Sequence, residues 1–164
     1  MKDTTNAESA ARQYLTFTLA GDLYGVDIAQ VSEVMDCIPI TRIPGTPDFL
    51  LGIINLRGKA LPVVDLRLKF NLETTKRTVS TCIIITEVEV ESEKTMMGAL
   101  ADSVQEVFEI QRKDIEPPPK MGAKINTEFI QGMARHDNKF IIIMDVNKVL
   151  STEELSAVQE AGAA

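Results

Sequence analysis

Two segments of this chain are copies of one plan, and that repetition limits what it can fold into more than any other feature. Gly52–Leu66, GIINLRGKALPVVDL, returns in worn form at Gly132–Val146. Phe129, Gly132, Lys139 and Asp145 stand 80 positions after Phe49, Gly52, Lys59 and Asp65. A second pair agrees at an offset of 73: Gly25–Val34, GVDIAQVSEV, aligns with Gly98–Val107, GALADSVQEV. The offsets differ by seven residues, which the Pro-rich segment around Pro117–Ala123 can absorb as an insertion. Such a chain reads as two similar modules facing each other. Function is then sought where the copies differ: NLRG in the first has become ARHD in the second.

The elements read mostly as strands. Leu15, Phe17 and Leu19 alternate with Thr16 and Thr18, as in a half-buried strand. Gly21-Asp22 reverses the chain. Ile28, Val31 and Val34 are three apart, as in a helix, but the segment is short and β-branched, which favours a single helical turn leading into a strand near Ser32–Asp36. Thr46-Pro47-Asp48 has the signature of a helix start, predicting a short helix that ends at Gly52. Ile53–Leu56, Ala60–Leu66 and Cys82–Val90 read as strands. In Cys82–Val90 the alternation of Glu87 and Glu89 with valines suggests a solvated edge. Leu68–Ser80 is a polar connector. Met97–Ala101 and Val104–Ile110 supply the second copy, and Phe140–Val146 its fully buried strand. Ser151 with Glu154 forms a capping box for a C-terminal helix over 151–164, and residues 1–12 read as a disordered tail.

The expected fold is therefore mainly β, with two small barrel-like modules sharing an apolar seam. The expected boundaries are 13–70 for the first module, 71–80 for a connector and 81–150 for the second. A chain of 164 residues is long enough to bury a real core.

Composition removes several function classes. A formal net charge of −7 without a basic patch argues against nucleic-acid binding. The polar N-terminus lacks the apolar region of a secretory signal, and no apolar run is long enough to span a bilayer. A cytoplasmic protein is expected. Cys37 and Cys82 fit no zinc spacing. Cys82 reads as a small buried hydrophobe, and Cys37 as partly exposed.

The parts of an enzyme are missing from the pattern. The single histidine, His136, lies in the polar turn ARHDNK with no nucleophile motif to serve. Phosphate cradles and the H-E-x-x-H metal motif are absent, so neither cofactor nor metal is expected. Asp65 and Asp145 could act as paired carboxylates. Their equal placement in the two copies instead favours a shared structural role, bonding turn backbone. A catalytic reading would rest on those two acids and His136.

Arg57 sits at a turn between apolar strands, where its planar guanidinium suits a bidentate contact with a partner or an internal ion pair. Glu33 is the expected internal acid. The pair would flank an apolar strip of Val31 and Val34, which Val104 and Val107 mirror in the second copy. A symmetric seam left partly open would be a groove for an apolar helix face.

These residues carry a family resemblance. YGVDI, ITRIPGTPDFLLGIINLRG, PVVDLR and the later VQEV, in this order from about Gln13 to Leu150, resemble the CheW-type coupling domain of bacterial chemotaxis. The resemblance implies two SH3-like five-stranded β-barrels on a common hydrophobic core, with a short C-terminal helix. It implies a non-catalytic adaptor between the cytoplasmic tip of methyl-accepting chemoreceptors and the regulatory domain of a histidine kinase, recruited to membrane-associated arrays. Carried over by position, receptor binding would involve Val31, Glu33, Val34, Leu56, Arg57, Val104 and Val107. Kinase binding would involve Ile40 and Met121, although Glu116 departs from a basic residue sometimes found there. A variant adaptor of a non-flagellar chemosensory pathway is the alternative. A phosphorylatable variant would append a receiver domain, and a kinase an ATP-binding domain.

Overall fold

The computed structural model describes residues 11–74, 76–90, 92–117 and 129–149. Met121, the Pro-rich insertion beyond Pro117 and the expected C-terminal helix lie outside the described residues. Among the described residues eleven strands form two sheets. They are β1 (Ala11–Leu19), β2 (Asp22–Asp27), β3 (Val31–Asp36), β4 (Leu50–Leu56), β5 (Lys59–Asp65), β6 (Cys82–Val90), β7 (Glu93–Ala101), β8 (Ser103–Gln111), β9 (Ile115–Glu116), β10 (Ile130–His136) and β11 (Lys139–Met144). One sheet has the order β8-β1-β2-β11-β10-β9 and the other β3-β6-β7-β5-β4.

The repeat holds in three dimensions at both offsets. Val63 of β5 pairs in parallel with Gly98 of β7, as Ile143 of β11 pairs with Gly25 of β2. The hairpins β4–β5 and β10–β11 each carry an irregularity after their first residue, at Leu50/Gly52 and Ile130/Gly132. Their two-residue turns have positive φ throughout, 51° and 85° at Arg57-Gly58 and 48° and 64° at Asp137-Asn138. That backbone matches the twist of paired strands. In this register Asn55–Gly58 corresponds to residues 135–138, RHDN, one residue on from ARHD.

The glycines at the irregularities are there for close approach. A Cβ on Gly52 would lie 2.0 Å from the Thr41 carbonyl oxygen, and one on Gly132 would lie 2.3 Å from Ile115 Cγ2. Both sit where a short segment crosses the hairpin: Thr41 bridges Ile53, and β9 pairs with Met133 and Ala134.

The modules do not follow the expected division at 70–80. The second sheet takes the continuous stretch β3–β7, and the first takes β1 and β2 together with β8–β11. One module is thus inserted into the other, and the chain crosses between them twice. The first crossing is the 3-10 turn Ile28–Gln30, and the second is Asp102.

Interleaving explains the burial. One cluster joins both sheets, drawing Phe17, Leu19 and Val26 from one and Leu50, Ile84 and Met97 from the other. A second lies inside the β3–β7 sheet, around Ile54, Leu61, Val63, Ile83 and Ile85. A third, around Tyr14, Ala134, Ile141 and Ile143, is its counterpart inside the other sheet. Strands covered on both faces lose their alternation. Each such Ile or Leu contributes about 1.5–3 kcal/mol through burial.

Several expectations are corrected here. The strand β1 is not half-buried: Thr16 is 0% exposed, and its hydroxyl donates to the Glu106 carbonyl at 2.6 Å. Ala11 and Arg12 belong to β1 rather than to a tail, and Arg12 pairs with Asp27 at 3.0 Å. No helix runs from Thr46 to Gly52. The Thr46 hydroxyl bonds the Ile43 carbonyl, and the chain enters β4 at Leu50. A backbone bond from Asp65 to the Phe49 carbonyl, 2.7 Å, overrides the local helix signal. The acidic run from Glu87 pairs with β7 alone, as expected of an edge, whereas Cys82–Thr86 of the same strand lies between β3 and β7. Phe140–Val146 is not fully buried, since Phe140 is 47% exposed. The strand expected to reach Leu66 ends at Asp65, and Leu66–Lys69 is a one-turn α-helix that opens the connector.

A candidate docking cleft between two edge strands

The edge strands β3 and β8 hold equivalent positions in the two sheets, and each carries a bulge opposite its neighbour. In β3 the register shifts between Val31 and Glu33, so Val31 and Val34 stand opposite Thr86 and Ile84 and share one face. In β8 the shift falls opposite Leu15/Phe17, so Val107 and Val104 do the same. The extra residue in each bulge turns a three-residue spacing into one apolar face. That face is the one packed on the shared core, because Ile84, Leu15 and Phe17 belong to it.

Val34 and Val104 line one cleft between these edges, with a volume of about 530 Å³. Met35, Asp36, Ser80, Cys82, Ser103 and Gln105 complete its lining. Val31 and Val104 are half-buried against the shared core, whereas Val34 and Val107 are 42% and 45% exposed. Val34 is thus exposed at the cleft, and Val107 is exposed on β8 beyond its lining.

Glu33 and Met35 occupy the other face of β3. Glu33 accepts a hydrogen bond from Arg57 Nη2, so the acid expected for this arginine is the one it meets. This bond holds the Glu33 carboxyl below the usual carboxylate range, against the opposing effect of burial. The same bond raises the arginine further. The turn under Arg57 is fixed by the Asn55 side chain, whose Oδ1 accepts from the Gly58 amide at 2.9 Å. The guanidinium is therefore held against β3 with most of its surface open to solvent.

Leu56 and Ile40 both lie half-buried on the cluster inside the β3–β7 sheet. The residues expected to meet the receptor thus form two groups. Val31, Val34, Val104 and Val107 share the core-side face, and Glu33, Arg57 and Leu56 lie on the opposite flank of β3. Ile40, expected at the kinase contact, adjoins the second group through that cluster. Glu116 is paired with Arg135 at 3.0 Å.

Asp65 and Asp145 are occupied structurally. Each accepts a backbone bond two residues on, from Arg67 at 2.9 Å and from Asn147 at 3.0 Å. Arg67, only 5% exposed, went unnoticed in the sequence. Its Nε and Nη2 meet both Asp65 oxygens at 3.1 Å, and Nη1 meets Asp102 at 3.0 Å. The signal was available: the first copy reads DLR where the second reads DVN. His136 lies against Phe108 with the rings tilted by 42° and their centroids 4.1 Å apart. Among the described residues no cluster of His, Cys, Asp and Glu could hold a metal ion, and no helix is long and apolar enough to cross a membrane.

Two interleaved β modules enclose a cleft of mixed polar and apolar lining between equivalent edges. Residues 13–154 match the family model for the CheW-like domain, and the chain belongs to that family. It is 32% identical to the chemotaxis protein CheW of Klebsiella aerogenes, over 92% of this chain and 89% of that one. It is 29% identical to CheW of Treponema pallidum, over 87% and 84%. The crystal structure of the scaffolding protein TtCheW from Thermoanaerobacter tengcongensis has 40% identity and a TM-score of 0.77, covering 88% of this chain and 90% of that one.

Proposed function

We propose that this chain is a non-catalytic chemotaxis adaptor that joins methyl-accepting chemoreceptors to a histidine kinase. One observation carries the reading: two equivalent edge strands border one cleft with a valine from each, Val34 and Val104, and Arg57 is held by Glu33 on the flank of β3. An amphipathic receptor helix would lay its apolar face along Val34, Val104 and Val107, and Arg57 would meet an acid or carbonyl at the rim. The kinase's regulatory domain would dock at Ile40 and Met121. The protein would act in the cytoplasm, at arrays beneath the membrane.

Coupling then needs no chemistry. A receptor state that shifts Leu56 or the Arg57 turn would press on the cluster that also carries Ile40. A small difference in packing there biases the kinase between its states. An array of such contacts tolerates modest single affinities. Asp65 and Asp145, each engaged in its own turn, favour this reading over a catalytic one.

The direct test is calorimetry with a receptor hairpin fragment and a kinase regulatory domain. The adaptor binds each alone and both together. Failure to bind either fragment, or mutual exclusion of the two, would overturn the reading.

A further inference from the structure

The two crossings between the sheets are built differently. By the repeat, Asp102 at the second crossing corresponds to Ala29 at the first, and Arg67 corresponds to Asn147. At the second crossing Arg67, in the one-turn helix that follows β5, donates to Asp102 Oδ1 at 3.0 Å. Asp102 Oδ2 accepts from the Ala20 amide at 2.8 Å, in the β1–β2 turn of the other sheet. Its own amide donates to the Thr18 carbonyl at 3.0 Å. At the first crossing Asp27 accepts from the Ala29 amide at 2.9 Å and pairs with Arg12 of its own sheet at 3.0 Å, while the bond that reaches the other sheet is neutral, from the Glu89 amide to Asn147 Oδ1 at 2.9 Å.

The charged crossing leads straight into the cleft. Ser103, Val104 and Gln105 follow Asp102 and form one wall of it. The Ser103 hydroxyl is bonded to Thr18 at 2.7 Å and to Gln105 at 2.8 Å. Ala101, just before Asp102, is paired with Cys82 at the same cleft. We infer that Arg67 and Asp102 are positioning residues: their ion pair fixes the second crossing and so sets the distance between the two edges that grip the receptor helix. A fold-stabilising pair alone would serve the first crossing equally well, yet there the copy has Ala29 and Asn147. Arg67 is buried and Asp102 partly so, and a hydrogen-bonded pair in such a place can select one arrangement among several packed ones.

The binding consequence rests on the adaptor reading; the geometric one does not. The test compares Asp102→Asn, Arg67→Lys and Asn147→Ala by amide hydrogen exchange at 103–107 and by binding to both fragments. In Asp102→Asn, exchange at 103–107 should rise about tenfold, as local opening becomes easier. Hairpin affinity should fall by about tenfold while kinase-domain binding stays within about twofold. Arg67→Lys should act in the same direction, since a point-like ammonium cannot span both carboxylates. Asn147→Ala should leave exchange at 103–107 unchanged. Equal exchange in Asp102→Asn and wild type, or an equal rise in Asn147→Ala, would overturn the inference. A wild-type chain that ignores the hairpin would refute the adaptor reading, and the exchange result would still decide the clamp.

Discussion

A single glycine shows how tightly the repeat is drawn. Gly52 has φ 148° and its α-carbon lies against the Thr41 carbonyl, so any side chain must displace backbone. Gly52→Ala should cost on the order of 3 kcal/mol or more. Gly58→Ala, also at positive φ but with open space around it, should cost about 1–2 kcal/mol. Urea titration of both variants measures the contrast, and equal costs would mean that the Thr41 crossing yields easily. The Glu33–Arg57 pair makes a second prediction at this scale. Because the folded state lowers the Glu33 pKa, its contribution is present above the ordinary carboxylate range. It fades as pH falls through the lowered value. The stability difference between wild type and Arg57→Gln should hold near neutrality and shrink toward pH 3. Salt should weaken it as well, since the pair is exposed. A difference unchanged from pH 7 to pH 3 would assign the effect of Arg57 to something other than this pair.

Among the elements, hairpins were easier to read than their surroundings. Positive-φ turns need particular residues, and the Asp at each hairpin's end must bond backbone, so the repeat left marks at fixed spacing. The pairing of Glu33 with Arg57 was legible for the same reason, because strand and turn were both placed. Thr46–Gly52 misled because the helix signal is local, whereas the bond from Asp65 to Phe49 that defeats it is distant in sequence. The strand β1 misled because alternation was taken to mean one buried face, and Thr16 satisfies its hydroxyl while buried. For the candidate site, the spacing of Val31 and Val34 was visible, but the bulge that aligns them was not. Ile40 is the prediction that belongs to this scale. It adjoins Leu56 on one apolar cluster, so Ile40→Asp should weaken kinase-domain binding by about tenfold or more, as loss of an apolar anchor does. Hairpin binding should change far less. Unaltered kinase binding, measured by calorimetry on a folded variant, would remove Ile40 from that contact.

At the scale of the whole molecule, one module is inserted in the other, and a repeat cannot reveal that. Similarity says which strands are alike, while pairing decides which lie together. The result is a body whose shared core and cleft belong to neither half of the chain alone. Met35 lines the cleft and packs on the same cluster as Ile40, and the proposed adaptor would transmit along that contact. The central claim is that receptor recognition depends on Arg57 and its neighbours at β3, separately from the kinase contact. Arg57→Glu, measured by calorimetry against a receptor hairpin and a kinase regulatory domain, tests it most directly. The account predicts a loss of hairpin affinity of at least about tenfold, with kinase-domain binding and the circular dichroism spectrum unchanged. Equal loss of both partners from a folded variant, or no loss of either, would contradict it.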